Sequence, residues 1–178
     1  MTTRALLTSA LCWVASLACS PANEAKMPQS RVELLEARIE IREVLDRYHA
    51  AVNLRDWQLL GTLFAERAIW EVGPPVNLHV EGRERIVSAI QKSVLRQEFL
   101  VQSNFAVVID VKRNDAATAR STIIEFGREP NAEKGMQVVG FYDDELAKID
   151  GTWKYVRHAM RVRYMNDAPV LGKLIDDP

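Results

Sequence analysis

Cysteine is nearly absent from this 178-residue chain: there are two, Cys12 and Cys19, both close to the N-terminus. Everything downstream therefore lacks a thiol for a disulfide, a thiolate metal site or a cysteine nucleophile. Histidine is almost as scarce. His49, His79 and His158 are scattered along the sequence without the spacing of zinc ligands, so no metal site is expected. Positive charge is not in excess, because 23 Lys and Arg stand against 24 Asp and Glu for a formal net charge of -1. That balance argues against nucleic acid as a partner. No Gly-rich phosphate loop, HExxH helix or G-x-S-x-G elbow occurs, and there is no internal repeat or low-complexity run.

What is present is the composition of a soluble globular protein, 48% hydrophobic and 26% charged, with length for one domain and a real core. The N-terminus stands apart. Arg4 followed by the apolar run Ala5–Ala18 reads as a signal peptide over residues 1–18, since the run is too short for a stable transmembrane helix. Ser16 and Ala18 place small residues where signal peptidase needs them. Leu17-Ala18-Cys19 also resembles a bacterial lipoprotein box, although Ser16 stands where such boxes usually carry Leu. Two readings stay open, a lipidated Cys19 that attaches the chain to a membrane and a plain cleavage point; both predict an exported protein, periplasmic or extracellular. An uncleaved anchor ranks below them. Residues 19–31 are too polar to pack and read as a flexible tether.

The domain itself spans residues 32–165, with a loosely held tail at 166–178. From Val32 to Val52 apolar residues recur at helical spacing, placing Leu34, Leu35, Ile41, Val44, Leu45, Tyr48 and Val52 on one stripe. Asp56 is positioned to cap a second helix bearing Trp57, Leu60 and Phe64 on one face. Ala68–Val72 reads as a strand broken by Gly73-Pro74-Pro75, and Asn77–Val80 resumes it. A third helix follows over about 83–95. The period then switches to alternation, with strands near 101–111, 117–126, 136–149 and 152–164 joined by Asn114-Asp115 and Asp150-Gly151 turns.

The succession Tyr48, Asp56-Trp57, Phe64, Gly82, Gly140-x-Tyr142-x-Asp144 and Asp150-Gly-Thr-Trp153 resembles a SnoaL-like domain of the nuclear transport factor 2-like superfamily, from about Glu36 to Tyr164. The resemblance implies an α+β fold: a cone-shaped barrel of curved antiparallel or mixed sheet, with three N-terminal helices packed over its concave face. It implies a hydrophobic small-molecule pocket, no cofactor, and a homodimer formed through the sheet. Relatives such as scytalone dehydratase, ketosteroid isomerase and polyketide cyclases move a proton beside a carbonyl.

Their catalytic groups do not carry over intact. The dehydratase pattern's helix-end aspartate falls on Asn53, an amide that orients but is no carboxylate base. Its paired histidines are missing from Leu100–Asn104 and Ala119–Gly127, and the isomerase base position falls on Val72, beside Glu71. The remaining catalytic candidates are Asp144, His158 and Tyr48, with Asn53, Tyr142, Trp70 and His79 as substrate-binding candidates. Asp144 and Tyr142 share a strand face with Val138 and Gly140. His158 shares one with Val156, Met160, Val162 and Tyr164. Glu125, on the face of Ala119, Ser121 and Ile123, is a lesser carboxylate, and His49 reads as a boundary residue. Each has a plain structural alternative: a core tyrosine, a satisfied buried histidine, a solvated strand end.

In the leading reading this is an exported, cofactor-independent lyase or isomerase. Asp144 or His158 takes a proton next to a carbonyl and Tyr48 or Tyr142 binds the developing enolate. Replacing Asp144 or His158 should then cost turnover and leave the melting temperature nearly unchanged. The alternative is a non-catalytic small-molecule-binding or dimerisation module.

Overall fold

A computed structural model describes residues 30–170 and 172–175; the proposed leader, Cys19 and most of the tether lie outside them. The elements run α1 (Arg31–Asn53), α2 (Trp57–Thr62), β1 (Phe64–Val72), β2 (Leu78–Glu81), α3 (Arg83–Val94), β3 (Phe99–Arg113), β4 (Ala116–Arg128), β5 (Lys134–Ile149) and β6 (Thr152–Pro169).

α1 starts abruptly because Ser30 and Glu33 form a capping box, each side chain accepting from the other's backbone N–H. Its buried stripe runs from Ala37 through Ile41, Val44, Leu45 and Tyr48 to Val52. The stripe begins later than the periodicity suggested, since Leu35 is half exposed at the helix's free end. Asp56 does cap α2, accepting from the Leu59 N–H at 2.8 Å. That helix ends at Thr62, and Phe64 opens β1, four residues before the expected strand start at Ala68. Phe64 is fully buried either way.

The six strands form one mixed sheet in the order β2-β1-β6-β5-β4-β3. β1 runs parallel to β6 and every other pairing is antiparallel. The sheet is not closed, because β2 and β3 are its two edges. Asp150 and Gly151, both at positive φ, make the tight β5–β6 hairpin that the sequence predicts. β6 also extends beyond residue 165: Met165 to Pro169 pair with Val138 to Lys134.

Two register shifts in β6 change which residues face inward. One lies between the Glu145 and Leu146 pairings, so Tyr155 and His158, three apart, are both buried. The other, between Val139 and Gly140, turns Tyr164 outward, half exposed. Strict alternation from His158 is thus broken at both ends.

Candidate functional site

A cavity of about 480 Å³ lies between the sheet, the C-terminal half of α1, and α3, well within the size of small-molecule sites. Its walls are mainly apolar, with Val52, Ile90, Val94, Leu100, Met136 and Val138 among them. Among the lining groups that can exchange hydrogen bonds or protons are Tyr48, Gln102, Glu125 and Tyr142. Register puts three of them on one face. Gln102 pairs with Glu125, and Glu125 with Val138, while Tyr142 lies four residues along β5 from Val138 and so points the same way.

Glu125 is the group whose environment least suits its charge. No protein hydrogen bond or ion pair reaches its carboxyl among the described residues. Burial alone pushes its pKa up to about 7, since a desolvated carboxylate without a donor favours its neutral form. At neutral pH it divides between acid and base.

Tyr142 donates its hydroxyl to Gln102 Oε1 across a long 3.5 Å, a bond weak enough to yield to a better acceptor. Burial holds the Tyr48 and Tyr142 hydroxyls well above the ordinary tyrosine pKa, so both stay protonated donors.

The sequence candidates divide into three groups. Tyr48, Tyr142 and Trp70 line the cavity. Trp70 also keeps an indole N–H buried without a partner. Asp144 and His158 come together directly: they are cross-strand neighbours, with Nδ1 and Oδ1 at 2.7 Å and both side chains about 1% exposed. Burial raises the Asp144 pKa, and His158 opposes that rise. The pair does not line the cavity. The His158 ring instead stacks on Tyr142, centroids 4.1 Å apart at 24°, and lies 4.4 Å from the Tyr48 ring. It supports the two cavity tyrosines from behind.

Asn53 and His79 stand elsewhere. Asn53 spends both ends of its amide on the β3 backbone, donating to the Gln102 carbonyl at 2.9 Å and accepting from the Gln102 N–H at 2.8 Å. It locks the end of α1 to β3 and so positions Gln102. His79 sits on the exposed face of β2 with its ring nitrogens 3.0 Å from Glu71 and Glu81, outside the cavity. Those carboxylates raise its pKa, Glu81 most. His49 is no boundary residue: it is buried, packed edge-on against Tyr48, and burial depresses its pKa to about 4. Gln102 was not singled out from the sequence. The signal available was a polar residue on the parity of Leu100 in an otherwise apolar strand end.

The family model of the SnoaL-like domain matches residues 33–158. The chain belongs to the SnoaL-like domain family. No curated protein matches it in sequence, but solved structures share its fold. A provisionally assigned scytalone dehydratase from Novosphingobium aromaticivorans DSM 12444 is 19% identical, covering 82% of this chain and 100% of its own, with a TM-score of 0.72. The hexachlorocyclohexane dehydrochlorinase LinA-type3 from Novosphingobium barchaimii LL02 is 18% identical, covering 84% and 100%, with a TM-score of 0.71. A nuclear transport factor 2-like protein with a cystatin-like fold, also from Novosphingobium aromaticivorans, is 22% identical over 75% and 86%, with a TM-score of 0.64. At such identities the likeness establishes the fold, and the SnoaL-like cavity itself has to carry any chemistry.

Proposed function

We propose that this SnoaL-like domain is a cofactor-independent lyase or isomerase that takes a proton from the carbon beside a carbonyl of a hydrophobic small molecule, with the Glu125 carboxylate as base. The observation that carries this is the unpartnered Glu125 carboxyl in an apolar cavity that two tyrosine hydroxyls also line. A base poised near neutral pH is what such a proton transfer needs.

In the reaction Glu125 accepts the C–H proton and becomes a neutral acid, while the electron pair moves to the carbonyl oxygen as an enolate. Tyr142, released from Gln102, and Tyr48 donate to that oxygen. For a lyase the enolate re-forms the carbonyl as a leaving group departs from the adjacent carbon; a departing hydroxide takes the proton back from Glu125 and leaves as water. For an isomerase Glu125 returns the proton to a different carbon. The activities for which two structural neighbours are named, dehydratase and dehydrochlorinase, are both eliminations and support the lyase form. Asp144 and His158, expected as proton acceptors, enter this reading as the packed support of Tyr142.

The rival reading, a binding module without turnover, draws on Asn53, which replaces the dehydratase pattern's aspartate and is fully engaged with β3. One experiment separates the two. The purified domain is incubated in D2O with hydrophobic ketones and β-hydroxy ketones, and NMR follows deuterium entering beside the carbonyl. Exchange that Glu125→Gln abolishes supports the enzyme; ligand binding without exchange across the panel supports the module.

Export on the strength of the Arg4 and Ala5–Ala18 leader, attachment through a lipidated Cys19, and a homodimer belong to the same proposal. Exposed Val101, Phe105 and Val108 on edge strand β3 offer apolar surface for a second copy. Mass spectrometry of the mature N-terminus and sedimentation of the domain test these points.

A further inference from the structure

The mouth of the cavity differs in charge from its interior. Lys92 in the last turn of α3 and Arg96 just past its end both line it, and both are exposed. Neither makes an ion pair among the described residues, and Glu125 is the one carboxylate among the lining residues. The C-terminus of α3 contributes only about half a negative charge, which two full positive charges outweigh. Glu125 stands on β4 between Gln102 and Val138, a different wall from the α3 end that carries the two cations, and it forms no ion pair with either of them. The cavity therefore has an apolar body, a proton acceptor in its β4 wall and a positive rim without ion pairs among the described residues, carried by the end of α3.

We infer that the natural ligand is an amphipathic organic anion, whose apolar part fills the cavity while a single negative group sits at the mouth between Lys92 and Arg96. The inference deepens the proposed function by assigning its substrate class: a hydrophobic carbonyl compound whose anionic group lies remote from the reacting carbon. Such a layout keeps the substrate's charge away from the Glu125 carboxylate and from the developing enolate, both of which a nearby anion would repel. It also fixes which end enters first, because the charged end keeps its water at the rim.

A matched pair of fluorescent probes tests this without any need for turnover. 8-Anilinonaphthalene-1-sulfonate and N-phenyl-1-naphthylamine share one apolar skeleton and differ by the sulfonate. The domain should bind the anion about five- to tenfold more tightly, the size of one or two solvent-exposed charge contacts. The double variant Lys92→Gln/Arg96→Gln should erase that preference and leave the neutral probe's Kd unchanged, and added salt should weaken only the anion. Ala89→Trp, which narrows the cavity from α3, should weaken both probes and so places them there. Equal affinity for the two probes, or an anion preference that survives the double variant, overturns the anionic assignment while leaving Glu125 chemistry untouched. Failure of both probes to bind removes this inference and the cavity-based function together, failure of the anion alone overturns the anionic assignment, and loss of exchange in D2O with binding intact removes only the function.

Discussion

Glu125 and His49 perturb stability in opposite directions. Glu125 has its pKa raised to about 7 from 4.5, so between those values the folded state holds more protons than the unfolded chain and stability falls as pH rises. The penalty is absent below the unfolded pKa and complete above the folded one, on the order of 3 kcal/mol. His49 is depressed to about 4 from 6.5; there the unfolded chain binds more protons, and stability is lost as pH falls through that window. Chemical denaturation should show Glu125→Gln gaining on the native protein as pH rises from 5 to 8, and His49→Gln flattening the loss between pH 6.5 and 4. Turnover should rise with pH through about 7, and Glu125→Gln should lower kcat by about 100-fold or more. Asp144→Asn tests a different expectation. The sequence alone suggested a variant of unchanged stability, but with both partners about 1% exposed it takes the carboxyl out of a fully buried hydrogen-bonded pair. A cost of roughly 3–5 kcal/mol should appear as a sharply lower melting temperature.

At the level of elements, the α1–β3 junction and the β5–β6 ladder hold the site. Asn53→Ala removes both hydrogen bonds to Gln102 and should cost roughly 2–3 kcal/mol, measured by denaturant titration. Asn53→Asp, which restores the dehydratase pattern's carboxylate, loses the donor to the Gln102 carbonyl and should destabilise without raising turnover. Gly140 marks the register shift against β6, where a Cβ would stand 2.5 Å from the Arg161 carbonyl oxygen. Gly140→Ala should therefore cost roughly 1–3 kcal/mol and shift the neighbouring Tyr142 ring. Helix caps, turns and the β5 face were legible in the sequence because they are local: Asp56, Asp150-Gly151 and the row Val138, Gly140, Tyr142, Asp144 all behave as their spacing predicts. The faces of β6 were not, since bulges at Val156 and near Arg163 leave no reliable mark in the residue pattern, and they decide that Met165 lines the cavity while Tyr164 faces outward.

For the whole molecule, the sheet and its helices leave a hollow into which α1, β3, β4 and β5 bring Tyr48, Gln102, Glu125 and Tyr142. That convergence explains the limit of reading sites from sequence. Asp144 and His158, separate candidates in the sequence, meet because adjacent strands place them opposite one another, yet whether they reach a cavity depends on the aromatic rings packed around His158. Glu125 ranked low in the sequence because nothing local distinguishes it; what sets it apart is that no hydrogen bond or ion pair from the described residues reaches it once β3, β4 and β5 assemble. The central claim is that this carboxyl waits, desolvated, as a base. Its titration, followed by carbon NMR of selectively labelled glutamate and assigned by the signal missing from Glu125→Gln, measures that directly. A midpoint near 7 is predicted; a midpoint in the ordinary glutamate range, about 4.3, would contradict the account.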